Sequence, residues 1–225
     1  MELTLKNKGE LIHWLKEFDE CVNWYEGKLT VRYGTPCPTD AQKIRKYGVP
    51  FDALETWLYC HQVPTYLKEL QLSPDSFRNM KVLDIGCGPY PNLLAFEGCY
   101  RAGIDPLILN YQTMGFPLDR WSDSVTYCHC QAEEIPFPSK SFDAVISRNA
   151  IDHIDDFSRS ALEVKRILRL NGVFRMNVHY HLKQTYEPIE LNDEVFLNHY
   201  SWVPGLKKIQ EFKTVNEHKV IWGNK

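Results

Sequence analysis

Apolar positions along this chain follow two periods. From residue 9 to 26 they recur at helical spacing: Leu11, Leu15, Phe18, Val22 and Tyr25 share a side with Trp14 and Cys21. That spacing predicts an amphipathic helix with one broad apolar face. Gly34, Pro36 and Pro38 enforce a loop. Thr39-Asp40 is placed to cap a short helix running to Tyr47 and stopping at Gly48. A longer helical stretch from Asp52 to Leu70 is interrupted at Pro64. Residues 1–75 therefore read as a helical, aromatic-rich cap that precedes the first sheet strand, and residues 76–225 as the main domain.

From Met80 onward short apolar runs alternate with amphipathic ones. Val82–Ile85, Tyr100–Ile104, Ser124–Cys130, Ser141–Ser147 and Val173–Val178 read as strands. Between them, Pro91–Gly98, Leu107–Met114 and Ser158–Leu170 read as helices, the last stopped by Asn171-Gly172. This alternation predicts an α/β architecture with a parallel sheet wrapped by helices. A helix over Leu191–Tyr200 and two strands, Ile209–Val215 and Lys219–Trp222, follow; the strands pair as an antiparallel hairpin at the sheet's end.

Bulk composition narrows the picture. With 225 residues, 44% apolar and 24% charged, the chain can bury a full core. A net charge of −3 offers no electrostatic case for nucleic acid or an anionic membrane. No apolar run is long enough to span a bilayer, and the polar start of the chain, Met1 to Lys8, argues against secretion. Seven scattered cysteines, some inside apolar strands, fit reduced thiols in a cytoplasmic protein.

The densest chemistry sits in Val82-Leu83-Asp84-Ile85-Gly86-Cys87-Gly88-Pro89. A buried strand breaks into two glycines one residue apart, which leaves the main chain bare for a ligand. A second strand ends in Asp105 at the distance expected of a ribose-binding acid in a βαβ unit. Together these point to a site for an adenosine-containing cofactor.

These residues resemble the class I S-adenosylmethionine-dependent methyltransferases, in particular their small-molecule branch, over about residues 80 to 180. Val82–Pro89 is similar to the family's first motif, and Gly103-Ile104-Asp105-Pro106 to its second-strand end. Gln131-Ala132-Glu133-Glu134-Ile135-Pro136-Phe137-Pro138, followed by Ser141–Ser147, resembles the adenine-side loop and fourth strand. Ile151-Asp152-His153-Ile154 and Glu163–Gly172 resemble the helix and turn before the fifth strand. The resemblance implies a Rossmann-like, seven-stranded, mostly parallel sheet with one reversed strand, and S-adenosyl-L-methionine as cofactor. Two positions depart from the family's pattern: Tyr90 stands where a third glycine is common, and Gln131 where an aspartate is common.

Carried onto this chain, the expected cofactor-binding residues are Asp84, Gly86, Cys87, Gly88, Asp105, Pro106, Gln131, Ala132, Glu133, Ser147 and Asn149. Asp105 would accept the ribose hydroxyls, or be an ordinary loop acid. Asp84 would orient the glycine loop or the cofactor's ammonium, or be satisfied by backbone N–H groups. Ser147 to Asn149 would offer main-chain carbonyls, with Asn149 otherwise a simple turn residue. His153, just past the fourth strand, is the candidate catalytic base because imidazole titrates near neutrality; alternatively Asp152 and His153 only cap the next helix. His179 and His181 point to the same edge and could bind substrate or join His153 in a metal site, yet no recognised ligand spacing supports the metal. Strand alternation sends His129 away from Cys128 and Cys130, which favours core packing there. The N-terminal aromatics read as core with a share in the substrate wall, and Arg32-Tyr33-Gly34, in the loop, is the segment to substitute first. The expectation is methyl transfer to a small-molecule oxygen or nitrogen. Two other readings are a non-catalytic domain that binds the cofactor or a partner, and an NAD(P) dehydrogenase. Asn92-Leu93-Leu94 in place of the Gly-x-Gly-x-x-Gly form argues against the dehydrogenase.

Overall fold

The computed structural model describes residues 4–183 and 187–225. Helix α1 (Leu5–Tyr25) begins earlier than the periodicity predicts because Thr4 caps it, its hydroxyl accepting the Asn7 N–H. Its inward face also differs. Cys21 and Trp24 are fully buried and Glu17 nearly so, whereas Leu15 is half exposed. The reason is a partner that a hydrophobic pattern does not register. Arg32, in a small hairpin of β1 (Val31–Arg32) and β2 (Thr35–Pro36), forms a buried ion pair with Glu17. The Arg32 guanidinium also lies 4.0 Å from the ring centre of Trp57. Tyr33 and Gly34 make the hairpin turn, both with positive φ.

The helix expected from Thr39 to Tyr47 does not form. Asp52 wins that segment: its carboxylate accepts the N–H groups of Lys46, Tyr47 and Gly48 and wraps the chain into a loop. The stretch expected over Asp52–Leu70 is α2 (Phe51–Trp57), a wide π turn over Leu58–Gln62, and α3 (Val63–Leu70). The Val63 N–H reaches the Leu58 carbonyl, and Pro64 has no N–H for the Cys60 carbonyl, so the ladder widens just ahead of the proline.

The main sheet contains β3 (Lys81–Ile85), β4 (Tyr100–Ile104), β5 (Thr126–Cys128), β6 (Phe142–Arg148), β7 (Leu168–His179), β8 (Lys207–Lys213) and β9 (His218–Gly223). Its order is β5-β4-β3-β6-β7-β9-β8. Strands β3 to β7 run parallel, and β9 lies antiparallel to both β7 and β8. Helices α4 (Ile108–Thr113), α5 (Phe157–Ile167) and α6 (Asp193–Tyr200) complete the order. The helix expected over Pro91–Gly98 contracts to one 3-10 turn at Asn92–Ala95. Strand β7 starts at Leu168, directly after α5, and takes in the expected Asn171-Gly172 stop.

Alternation along β3 places Leu83 and Ile85 in the core shared with α5 and α6, and Val82 in the core shared with α3. A third core joins α1 and α2 to the carboxyl edge of the sheet: Cys21, Trp24, Leu54 and Trp57 pack with Cys87, Tyr90, Leu107 and Tyr111. The N-terminal helices and the sheet thus share buried apolar surface, and α1 lies across the strand ends where ligands bind in such sheets. All seven cysteines are unpaired.

Candidate cofactor and acceptor site

Strand β3 runs into Gly86 and Gly88, at φ +70° and +63°. A Cβ at Gly86 would stand 2.2 Å from the Cβ of Ala150, so glycine is what lets the loops after β3 and β6 meet. The N–H groups of Gly86 and Cys87 return to the Ile104 carbonyl, at 2.9 and 3.1 Å. Asp105 then latches the loop. One carboxylate oxygen accepts the Gly88 N–H at 3.1 Å and the other the Leu107 N–H at 2.8 Å. Burial lifts the Asp105 carboxyl to about 6, against the pull of those two donors.

Beneath the loop, Asp84 is 2% exposed and accepts the Tyr66 hydroxyl at 2.7 Å. Its other oxygen, Oδ1, has no partner among the described residues. Burial raises this carboxyl to about 7. Tyr90, in the third-glycine position, turns into the cap: its buried ring packs on Trp14 and Phe116. The Trp14 ring also roofs the loop, 3.6 Å from where a Gly88 Cβ would lie. The loop's departure from the family pattern is therefore the post on which α1 docks.

The other expected cofactor residues occupy several settings. Ser147 is buried and donates to the Ile85 carbonyl at 2.8 Å, tying β6 to β3. Asn149 is exposed at φ +51°, with its N–H on the Asn177 carbonyl. Cys87 is buried against Gly103, where an added Cβ would stand 2.8 Å from its sulfur, and burial pushes its thiol well up. Pro106 is half-buried, Gln131 is exposed and Ala132 is buried. Glu133 accepts the N–H groups of Asp155 and Asp156 at 2.8 and 2.9 Å, holding the loop after β5 to the start of α5. His129 is exposed while Cys128 and Cys130 pack against the core.

Past β6 stands a second cluster. His153 Nδ1 lies 2.9 Å from Glu10 Oε1, and Lys6 Nζ donates to the His153 carbonyl at 2.7 Å. Burial disfavours a charged His153, but the Glu10 bond and the nearby Asp152 outweigh it and raise the ring above its ordinary range. The fully buried Asp152 faces His181 at 3.3 Å, and that hydrogen bond holds His181 up at about 9. Glu187 approaches both rings at 3.6 Å. His179 moves the other way, held down by burial, and its Nε2 has no partner among the described residues. Sequence reasoning found His153 and His181 and counted Trp14 and Tyr66 among the N-terminal aromatics with a share in the substrate wall, but missed Glu10 and Glu187. Lys6, Glu10 and Trp14 recur every fourth residue on α1, and that polar stripe beside an aromatic was the available signal. Glu187 carried none.

Sheet order, with a glycine loop after the first parallel strand and an acid closing its neighbour, defines a Rossmann-like α/β sheet. Residues 83–176 match the family described as a methyltransferase domain. Over that segment the chain is similar to the S-adenosylmethionine-dependent methyltransferases. It is 32% identical over 103 residues to the uncharacterized methyltransferase YcgJ of Bacillus subtilis, covering 44% of this chain and 41% of that protein. A sterol 24-C-methyltransferase of Gibberella zeae is 32% identical over 102 residues, covering 42% and 26%. The chain thus spans less than half the length of these curated relatives. Among solved structures, phosphoethanolamine N-methyltransferase 2 of Haemonchus contortus, in complex with phosphomonomethylethanolamine and S-adenosylhomocysteine, shares the fold. Its TM-score is 0.58 at 17% identity, over 76% of this chain and 55% of that one. Among the described residues no helix is long and apolar enough to cross a membrane.

Proposed function

We propose that this chain transfers a methyl group from S-adenosyl-L-methionine to an oxygen or nitrogen of a small-molecule acceptor. The observation that carries the reading is the pairing of two buried acids with a bare glycine loop. Asp105 latches Gly88, and Asp84 keeps one buried oxygen unpaired beneath it. A cofactor that is cationic at one end and carries two ribose hydroxyls matches that donor–acceptor set. When bound, it supplies an electrophilic methyl on a sulfonium.

The chain's own residues supply the rest. Asp105 accepts the ribose hydroxyls; Gly86, Cys87 and Gly88 offer their main chain; Asp84 faces the cationic end through its free oxygen. Pro106 and Gln131 to Glu133 border the adenine side, and Ser147 and Asn149 close the β6 end. Trp14 roofs the loop and excludes water, which in-line displacement from a sulfonium requires. His153 is the group that takes the acceptor's proton at Nε2, while Glu10 holds Nδ1. The relatives' names include a carbon-directed and a nitrogen-directed enzyme, so the fold does not select the acceptor atom. The choice of oxygen or nitrogen rests on the imidazole, because those acceptors carry a proton to remove. A net charge of −3 supports a small acceptor over nucleic acid, and seven free thiols support a cytoplasmic setting.

Isothermal titration of the whole chain tests this. Micromolar binding of S-adenosylmethionine or S-adenosylhomocysteine is the expected result. Binding of NAD alone, or of no nucleotide, overturns it. A screen of metabolite pools with radiolabelled methyl donor then finds the acceptor.

A further inference from the structure

The cluster past β6 holds more than one candidate base. His153 Nδ1 sits 2.9 Å from a carboxylate oxygen of Glu10, and His181 Nδ1 sits 2.9 Å from the Leu182 carbonyl. Both neighbours are acceptors only, so each Nδ1 carries a hydrogen. In the neutral form both rings then turn a bare Nε2 inward. There His181 Nε2 meets Asp152 Oδ2 at 3.3 Å and Glu187 Oε2 at 3.6 Å, and His153 Nε2 meets Glu187 Oε1 at 3.6 Å. Lone pairs on nitrogen and oxygen repel at such distances unless a positive charge stands among them.

Two orphaned atoms ask for the same thing. Asp152 is fully buried and its Oδ1 has no partner among the described residues; His153 Nε2 also has none. One ligand atom each from Asp152, His153 and Glu187 lie within 4.8 Å of one another. Donors around a cation that binds them at about 2.0–2.2 Å stand no more than ~4.4 Å apart, so the three need a small side-chain closure to take one.

We propose that Asp152, His153 and Glu187 bind a divalent transition-metal ion, of the zinc or manganese kind, with His181 facing the same two carboxylates as a further ligand. Imidazole among the donors selects such ions over magnesium or calcium. Glu10 is then the outer partner that fixes the His153 tautomer and aims Nε2 at the ion, as carboxylates do behind metal-bound histidines. Binding of the ion stands on this geometry alone; its use rests on the methyl-transfer reading. In that use the ion replaces His153 Nε2 in the role given above: it holds an oxygen of the acceptor and weakens that oxygen's hold on its proton, which leaves to solvent, while His153 serves as ligand and not as base.

The test is calorimetry of the full chain, first stripped with EDTA, titrated with zinc chloride and with manganese chloride. Electron paramagnetic resonance of the manganese sample reports the coordinated ion. One ion per chain at micromolar affinity is expected. Glu187→Gln, which lies at the half-buried rim, is expected to weaken binding at least tenfold with an unchanged circular dichroism spectrum, and His153→Gln to do the same. No binding, or binding that ignores both substitutions, overturns the proposal and leaves two imidazolium pairs as the answer. The same samples are titrated with S-adenosylmethionine. Cofactor binding without metal binding sinks the ion alone, and metal binding without cofactor binding sinks the methyl-transfer reading alone.

Discussion

Asp105 and Asp152 are both buried acids beyond the carboxyl ends of parallel strands, yet they are wired in opposite ways. Asp105 draws its donors from nearby in the chain, Leu107 two residues on and Gly88 seventeen back. Both are backbone N–H groups, which any residue supplies, so the latch depends on backbone path more than on side-chain identity. Asp152 instead meets a side chain, His181, twenty-nine residues away. The neighbouring His153 leans on Glu10, at the far end of the chain in α1. The latch at Asp105, read above as the cofactor side, is thus a local device, and the cluster at Asp152, read as the acceptor side, an assembly of distant parts. Such a division lets one cofactor loop serve many acceptors, because the parts that meet the acceptor vary without disturbing the latch.

Substitutions on each side test that division, taken here from the largest expected effect to the smallest. His153→Ala is expected to slow turnover by about 10²–10⁴-fold while cofactor affinity stays within about twofold. Steady-state kinetics beside calorimetry reads both, and full activity in that variant would return His153 to a structural role. Glu17→Ala strands Arg32 in the cap core without its partner, at a cost of ~3–5 kcal/mol in urea unfolding. A loss below ~1 kcal/mol would mean that α1 is held by its aromatics alone. Gly86→Ala drives a methyl into Ala150 at a positive φ, and ~2–4 kcal/mol of stability is expected to go. Asp105→Ala is expected to weaken cofactor binding by ~1–3 kcal/mol with turnover of the saturated enzyme nearly kept; an unchanged affinity removes the ribose assignment.

The smallest effect is one of pH. Burial raises Asp84 and Asp105 to about 7 and about 6, above the roughly 3.9 of an unfolded aspartate. The folded state therefore binds more protons in between, and the stability that these groups contribute is full below about pH 4 and lost as pH rises through 6 and 7. Asp84→Asn keeps an acceptor for Tyr66 and removes one of the two charges. Its stability relative to the native chain is expected to improve by ~1–2 kcal/mol between about pH 4 and 8, at the expense of cofactor affinity. A gap that stays constant across that range would show that Asp84 is solvated.

Much of the sheet was legible because its strands are short apolar runs cut by glycine and proline: β4 begins and ends where the pattern places it. The glycine loop and Asp105 were legible for the same reason, since a tight turn and the next strand's end leave a mark within a few dozen residues. The Thr39–Tyr47 segment failed because one carboxylate, Asp52, offered its backbone donors a better partner than a helix did. The face of α1 failed because a salt bridge buried Glu17, while Leu15, which periodicity placed in the apolar stripe, is half exposed.

By itself, then, the sequence determined the order of strands and helices, the bare loop after β3 and the acid opposite it. These follow from local sterics and from apolar periodicity, which act between near neighbours. Only the tertiary structure decided that Tyr90 packs on α1, that Trp14 roofs the loop, and that Glu10, Asp152, His153, His181 and Glu187 cluster together. Charge and ring contacts between residues from about thirty to more than a hundred positions apart depend on how helices and loops dock, and no spacing along the chain encodes that docking.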